Sequence, residues 1–257
     1  MDELRDKIRR VRPKLIYVMP NFHNPTGWSY PEAVREELLT LAYQNQVYLL
    51  EDDYASELTF SGIPKATLKS IDRHHQVIYL RSFSKIMMPG LRLGIMTLPP
   101  QLHQAILSAK QSTDVSTFGL TQRAFELFIR RGYWDEQVQR VQHVFRERYE
   151  AFLEETGDIL TEPLRCSLPE GGIHFWIEVP AEAQEALLKE ASRLGALLVN
   201  GDHFYIRTPE SKHIRLSIAS LNPEEIRQGL ARLREACSTV LSSYRPAAQR
   251  EFRTPIL

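Results

Sequence analysis

This sequence has few cysteines, no formal net charge and no long apolar run. Only two cysteines, Cys166 and Cys237, occur in 257 residues, and their wide separation excludes a disulfide framework and a cysteine-based metal site. Lysine plus arginine and aspartate plus glutamate both number 32, so the zero formal charge gives no reason to expect nucleic acid or an anionic membrane as a partner. No apolar run approaches the roughly 18 residues that a membrane span needs, and the charged N-terminus lacks the apolar core of a secretory signal. These absences favour a reduced, cytoplasmic protein without a membrane or metal partner.

Four short apolar runs punctuate the first hundred residues and predict strands. They span residues 15–18, 47–50, 77–80 and 93–96. The first three are continuous and rich in β-branched or aromatic residues, which is typical of strands covered on both faces. Between the first two, residues 31–39 predict a helix, with Ser29 as its N-cap and Glu32 completing a capping box. A strand, a helix and a strand in this order indicate a βαβ unit and a parallel sheet.

The rest of the chain has a different pattern, which indicates helices followed by an α+β arrangement. Residues 100–157 are typical of helix almost throughout, with breaks near Gly119 and Gly132. Beyond a boundary near residue 145, strands are predicted at 173–179, 197–199 and 213–218, with a helix over 181–194. Asn222 is the expected N-cap of a final helix that opens at Pro223. The tail from residue 244 has no periodic pattern and is expected to be loosely ordered.

Three polar clusters follow the first three predicted strands. They are N-P-T-G at residues 24–27, E-D-D-Y at 51–54 and S-F-S-K at 82–85. Each alone is typical of an ordinary turn, a solvated acidic loop or a solvated lysine. Ligands in open α/β sheets bind outside the carboxyl ends of the strands, and the three clusters together are therefore expected to converge on one crevice.

The residue types in these clusters fit a single task, the binding of a pyridoxal-type cofactor. Lys85 supplies the amine for a Schiff base, and the carboxylate of Asp52 can keep a pyridine nitrogen protonated. Tyr54 and Asn24 offer hydrogen bonds to the phenolic oxygen of such a ring. Its phosphate needs a hydroxyl and a guanidinium. The residues that offer these two groups are Ser82 and Arg92.

In this order the motifs resemble those of fold type I enzymes of the class I/II aminotransferase family, which use pyridoxal 5′-phosphate (PLP). Asp52 and Tyr54 are two steps apart, whereas most members have three steps. That shorter spacing, with P-G-L-R-L-G after Lys85, resembles the aminotransferase-like domain of MocR/GntR-type regulators. The resemblance covers about residues 10–240. It implies PLP as cofactor, an amino acid or another carboxylate-bearing amine as substrate or effector, and a homodimer.

Two features of the second part fit the same family. The sequence P-E-G-G-I-H-F-W, from Pro169, resembles the family's entry to its small domain. Arg215 matches the arginine that makes a bidentate contact with the substrate α-carboxylate, a group to which a guanidinium is suited. Asn24 matches a second substrate-binding position. In the predicted strand Arg215 lies on the face opposite to Ile214 and its apolar neighbours. His174 and His203 could line the crevice, but a structural role is the stronger expectation for both.

The expected fold class is therefore α/β, of the PLP-dependent transferase type (fold type I). Residues 1–145 would form an incomplete large PLP-binding domain with a mostly parallel sheet. Residues 146–243 would form a smaller α+β C-terminal domain, and residues 244–257 a tail.

The resemblance also implies a segment that has no counterpart here. Only 23 residues precede Asn24, whereas the family normally has well over a hundred, which carry a backbone phosphate cradle and an aromatic that stacks on the cofactor. We therefore expect a truncated or split chain, or one that pairs with a partner chain, because its outer strands would have open edges. A winged helix is absent as well, so this chain is not expected to bind DNA through such a domain.

Three functions remain open from the sequence. The leading hypothesis is a PLP-dependent aminotransferase in which Lys85, once freed, acts as the general base on the substrate α-proton. The second is an effector-sensing domain of a MocR/GntR-type regulator, in which binding shifts a conformational equilibrium. The third is an inactive truncated remnant that keeps the motifs but cannot hold the cofactor.

Overall fold

The chain divides into two units in the computed structural model, which describes residues 1–114, 116–157, 159–160 and 163–242. The first unit consists of residues 1–22 and 29–142, and the second of residues 23–28 and the chain from His143 onward. The predicted tail, residues 244–257, lies outside the described residues.

A four-stranded sheet forms the centre of the first unit. Its strands are β1 (Leu15–Val18), β2 (Tyr48–Asp53), β3 (Val77–Ser82) and β4 (Gly94–Thr97), in that spatial order. The first three strands are parallel and β4 is antiparallel to β3. The predicted, mostly parallel sheet is therefore confirmed.

The helices of this unit confirm the predicted breaks but contradict one predicted cap. The helices that begin in this unit are α1 (Asp2–Val11), α2 (Glu32–Gln44), α3 (Leu68–Ile71), α4 (His103–Thr113), α5 (Gly119–Arg130) and α6 (Tyr133–Thr156). Ser29 is not the N-cap of α2, because Pro31 occupies that position and makes no side-chain cap bond. The Ser29 hydroxyl instead accepts a hydrogen bond from the backbone N–H of Phe22, so it is committed to the loop that precedes the helix.

The two faces of the sheet differ in how well they are covered. On one face, Leu49 and Val77 are fully buried, and Ile16 packs against a cluster of Ile8, Leu41 and Val47. The opposite face, which carries Tyr17 and Asp52 and is called the site face below, is only partly covered, since Tyr17 is 54% exposed. The expectation of strands buried on both faces was therefore wrong for the site face.

The second unit has an antiparallel sheet flanked by helices. Its strands, in spatial order, are β5 (Arg165–Cys166), β6 (His174–Val179), β8 (Lys212–Ser217) and β7 (Val199–Asn200). Its later helices are α7 (Gln184–Arg193) and α8 (Pro223–Leu241). The predicted cap of α8 is confirmed, because the Asn222 side chain accepts from the backbone of Glu225 and the Glu225 side chain accepts in return from the N–H of Asn222. Phe152 and Phe175 stack with ring centres 3.7 Å apart in the core.

Candidate active site

The acidic run at the end of β2 is divided between the two faces of the sheet. Because successive side chains of a strand point to opposite faces, Asp52 lies on the site face while Glu51 and Asp53 lie on the other. Both of these carboxylates are buried. The oxygens of Asp53 accept hydrogen bonds from Ser56 and from Tyr79. Asp52 is therefore the carboxylate of this run that remains available on the site face.

Asp52 is held by a tyrosine from the neighbouring strand. The Tyr17 hydroxyl donates to Asp52 Oδ2 over 2.6 Å. Tyr17 is paired with Leu50, two residues before Asp52, so the bond runs diagonally between β1 and β2 on the site face. The sequence assigned no role to Tyr17, since its position beside Asp52 depends on the strand register. An aromatic residue with a polar tip in the strand next to E-D-D-Y was the available signal.

The hydroxyl of Tyr54 makes a hydrogen bond to the backbone in this structure. Its hydroxyl donates to the carbonyl oxygen of Phe22 over 2.5 Å. Phe22 is fully buried and has a φ of 49°, a conformation that a bulky residue rarely adopts. Tyr54 thus fixes a strained residue two positions before Asn24, and the role toward the cofactor ring that the resemblance implies would use the same hydroxyl proton.

Glu51 is buried, and its carboxylate has a structural role. Its carboxylate accepts hydrogen bonds from the backbone N–H groups of Leu68 and Lys69, at 2.7 and 2.8 Å, and so caps the first turn of α3. Burial raises the pKa of Glu51 to about 7.

The third strand brings a hydroxyl to the same face and an amine just beyond it. Asp52 is in register with Leu80, and Ser82, two residues further along β3, therefore lies on the site face. Lys85 follows in a turn, where its side chain is exposed while Phe83 and Ile86 on either side are buried. The buried neighbours anchor the turn and leave the amine of Lys85 free to reach a ligand.

Arg92 ends a short 3-10 helix, Pro89–Leu91, that follows the lysine turn. It has a φ of 50° and is exposed. Its guanidinium makes no ion pair with any residue that the structure describes, and it is consistent with a role in binding an anion.

The predicted substrate-binding residues meet in the second unit. Arg215 Nη1 donates to Asn24 Oδ1 over 2.8 Å, although the two residues are 191 positions apart. The guanidinium of Arg215 also lies over the ring of Phe204, 4.8 Å from its centre, which favours one orientation of the cation. Phe204 was missed by the sequence analysis, because nothing in the local pattern links it to β8.

The N-P-T-G turn depends on its glycine. Gly27 has a φ of 71°, and a Cβ at this position would lie 2.6 Å from the carbonyl oxygen of His174. The backbone of the turn can therefore approach β6 only because residue 27 has no side chain. Within the turn, His23 Nδ1 and Thr26 Oγ1 are 2.9 Å apart, and burial lowers the pKa of His23. The turn that carries Asn24 is thus packed tightly within its own unit.

The residues of the first unit fit the pyridine side of PLP. Asp52 Oδ2 is fixed by Tyr17, and no described residue makes a hydrogen bond to Oδ1, which leaves that oxygen for a ring N–H. Ser82 supplies a hydroxyl on the same face and Lys85 an amine beyond it. No group of three or more histidine, cysteine, aspartate or glutamate side chains in the described ranges could hold a metal ion. Among the helices described, none has the length and apolar character needed to cross a membrane.

Comparisons with known proteins give consistent matches. The sequence profile described as "Aminotransferase class I and II" matches residues 1–233. The 2-aminoadipate transaminase of Thermus thermophilus is 32% identical over 246 residues, or 94% of this chain and 62% of the transaminase. The uncharacterized HTH-type transcriptional regulator YhdI of Bacillus subtilis (strain 168) is 30% identical over 243 residues, or 94% of this chain and 52% of the regulator.

A solved structure is similar as well. It is the crystal structure of LysN, an α-aminoadipate aminotransferase from Thermus thermophilus, complexed with N-(5′-phosphopyridoxyl)-L-leucine. The TM-score is 0.87 at 32% identity, with 94% of this chain and 63% of that chain covered. The chain thus spans less than two thirds of the length of the proteins that it matches here.

Proposed function

Since the chain belongs to the class I and II aminotransferase family, whose cofactor is PLP, we propose that it transfers an amino group between an amino acid and an oxo-acid. Lys85 is the residue that carries PLP as a Schiff base. When bound, PLP supplies the electron sink that makes the α-proton of an amino acid acidic. Residues 1–145 are the remainder of the large PLP-binding domain, and residues 146–243 are the small domain.

Each site residue has a distinct task in this proposal. Asp52 holds the proton on the ring nitrogen, and Tyr54 donates to the phenolic oxygen when its hydroxyl turns away from the carbonyl oxygen of Phe22. The amine of Lys85, once released, takes the α-proton as general base, because it is held next to the bound substrate. Ser82 and Arg92 bind the phosphate.

The hydrogen bond between Arg215 and Asn24 is the observation that carries the proposal. Both residues were predicted, from motifs far apart in the sequence, to bind the substrate, and their side chains are 2.8 Å apart. A planar guanidinium next to an amide offers several donors to one carboxylate, which suits the α-carboxylate of an amino acid.

A second function is supported by the similarity to YhdI over 94% of the chain. In it, the same residues bind PLP and an amino acid, and binding biases the conformation of a larger regulator instead of leading to turnover. In either case, we propose that the protein is a cytoplasmic homodimer.

The experiment that tests the proposal uses the visible absorbance of the Schiff base. Purified protein is mixed with PLP, and the absorbance is recorded for the wild type, for Lys85→Ala and for Lys14→Ala as a control at an exposed lysine. We expect absorbance in the wild type and in Lys14→Ala, but not in Lys85→Ala. A wild-type protein without absorbance would indicate an inactive remnant and contradict both functions.

Turnover then separates the enzyme from the regulator. Wild-type protein is loaded with PLP and given an amino donor and an oxo-acid in large excess. Several turnovers per protein support the aminotransferase. A spectral change on adding the amino acid, without product beyond one equivalent, supports the effector-sensing domain instead.

A further inference from the structure

The hydroxyl of Tyr17 is the side-chain donor nearest to the predicted ring-nitrogen carboxylate. It donates to Asp52 Oδ2 over 2.6 Å, and this is the hydrogen bond of Asp52 that the described part of the chain provides. Both residues are on regular strands, β1 and β2, whose register fixes the distance between them. Diagonal neighbours on one face of a sheet are within reach of aromatic side chains. The bond is therefore a product of the sheet and not of a flexible loop.

Tyr17 is a permanent donor in this pair. Partial desolvation of the half-exposed phenol and, after it, the hydrogen bond to Asp52 raise the pKa of Tyr17 above that of an ordinary tyrosine. The phenol therefore keeps its proton at neutral pH. It does not become a phenolate that would repel the carboxylate of Asp52. Asp52 accordingly remains the acceptor in the pair.

We infer that Tyr17 is a positioning residue that orients Asp52 toward the ring nitrogen of PLP. With Oδ2 fixed by Tyr17, rotation of the carboxylate is restricted and Oδ1 is presented to the ring N–H. The donated hydrogen bond also spreads the negative charge of the carboxylate, so that the shared proton stays on the ring nitrogen. This role rests on the proposed function, because it needs a bound pyridine ring.

The contribution of the bond to folding is small. Tyr17 is 54% exposed, and solvent weakens the net contribution that a hydrogen bond near the surface makes to stability. Tyr17→Phe removes the hydroxyl and keeps the ring, so the variant is expected to fold normally. Its effects should therefore appear in cofactor binding and not in the melting temperature.

The chain offers a matched control on the same sheet face. Tyr48 is in register with Leu15 and points to the same face as Tyr17. Its hydroxyl makes no hydrogen bond to any described residue. Tyr48→Phe therefore removes an equivalent hydroxyl without touching Asp52.

The experiment compares wild type, Tyr17→Phe and Tyr48→Phe, each loaded with PLP labelled with ¹⁵N at the ring nitrogen. In Tyr17→Phe we expect the ¹⁵N signal to move toward that of an unprotonated pyridine, and the dissociation constant of PLP to rise about three- to tenfold. Tyr48→Phe should match the wild type in both. In a separate tyrosine titration by NMR, Asp52→Asn should bring the pKa of Tyr17 down toward its ordinary value.

Failure of this inference is distinguishable from failure of the proposed function. If wild type binds PLP at Lys85 but Tyr17→Phe has the wild-type ¹⁵N signal and affinity, Tyr17 does not position Asp52 and the inference is overturned. The same follows if Tyr48→Phe causes an equal change. If wild type gives no Schiff-base absorbance, the proposed function fails first, and the role of Tyr17 fails with it.

Discussion

Arg215 is oriented by its neighbours before any ligand binds. Asn24 accepts one of its N–H groups, and the ring of Phe204 lies against the guanidinium. A planar cation held in this way loses less side-chain freedom when it binds a carboxylate than a free one does. The orientation of Arg215 thus depends in part on Asn24, which is 191 positions away in the sequence.

Replacing Arg215 tests its role in substrate binding. Arg215→Lys keeps the charge but loses the forked donors and the stacking on Phe204, so we expect KM for the amino acid to rise about ten- to hundredfold. Arg207→Lys, an exposed arginine of the same unit, is the control and should leave KM unchanged. The measurement is steady-state kinetics with the amino donor varied, or a binding titration if turnover is absent. An unchanged KM in Arg215→Lys would remove Arg215 from the substrate site.

At the scale of elements, Glu51 connects β2 to the start of α3 and makes stability depend on pH. Burial raises the pKa of Glu51 in the folded protein to about 7, above its ordinary value of 4.5. Between these values the folded protein keeps a proton that the unfolded chain releases. The contribution of Glu51 to the free energy of unfolding is therefore full below about pH 4.5 and falls as pH rises toward 7.

Glu51→Gln, which is neutral at every pH, isolates this contribution. We expect the free energy of unfolding of wild type, relative to Glu51→Gln, to fall by on the order of 2–3 kcal/mol between pH 4.5 and pH 8. Urea denaturation across that range measures it. The comparison with Gln is needed because burial lowers the pKa of His213 to about 4, and His213 therefore opposes the trend in the same window. Glu36→Gln, at an exposed carboxyl on α2, should follow the wild-type curve.

Gly201 is required by the contact between β8 and the 3-10 helix Gly201–Phe204, which carries Phe204. A Cβ on Gly201 would overlap the carbonyl oxygen of His213 and lie 2.9 Å from a ring carbon of Trp176. Gly201→Ala is therefore expected to lower the free energy of unfolding by about 1–3 kcal/mol. Chemical denaturation measures the change.

The matched control for this prediction is a glycine at which alanine is expected to raise the free energy of unfolding. Gly229 lies within α8, and a Cβ there would meet nothing within 4 Å. Gly229→Ala is expected to stabilise the protein by about 0.5–1 kcal/mol, because alanine favours helix. Equal effects at Gly201 and Gly229 would contradict the close contact at β8.

At the scale of the whole molecule, both outer strands of the first unit's sheet lack a second neighbour in the part of the chain that the structure describes. Within the described residues, β1 and β4 each pair on one side. Ile95 and Met96 on β4 are 50% and 48% exposed. Open apolar edges promote pairing with another chain, so we expect the purified chain to associate as its concentration rises.

A charge on the edge strand tests this expectation. Ile95→Lys should shift the protein toward monomer, because a lysine on an edge strand opposes pairing. Ile63→Lys is the control, since Ile63 is more exposed, at 73%, but lies outside the strands. Size-exclusion chromatography with light scattering over a concentration series provides the measurement. A wild-type monomer at every concentration would contradict the expected association.

Most secondary structure could be predicted because its signals are local. The apolar run at residues 15–18 coincides with β1, and the Asn222 cap was predicted from four consecutive residues. The cap of α2 was predicted wrongly, since the Ser29 hydroxyl is taken by the N–H of Phe22. The coverage of the site face was also predicted wrongly, because burial depends on which other segments pack against a strand.

The sequence by itself determined the order of the elements, the family and the chemistry offered by Lys85, Asp52 and Arg215. Residue type and spacing along the chain are sufficient for these. Only the tertiary structure decided that Asp53 accepts hydrogen bonds from its own side of the sheet. It also decided that Tyr17 donates to Asp52 and that Arg215 donates to Asn24. These facts depend on strand register and on contacts between residues far apart in the chain, and such contacts leave no local pattern in a single sequence.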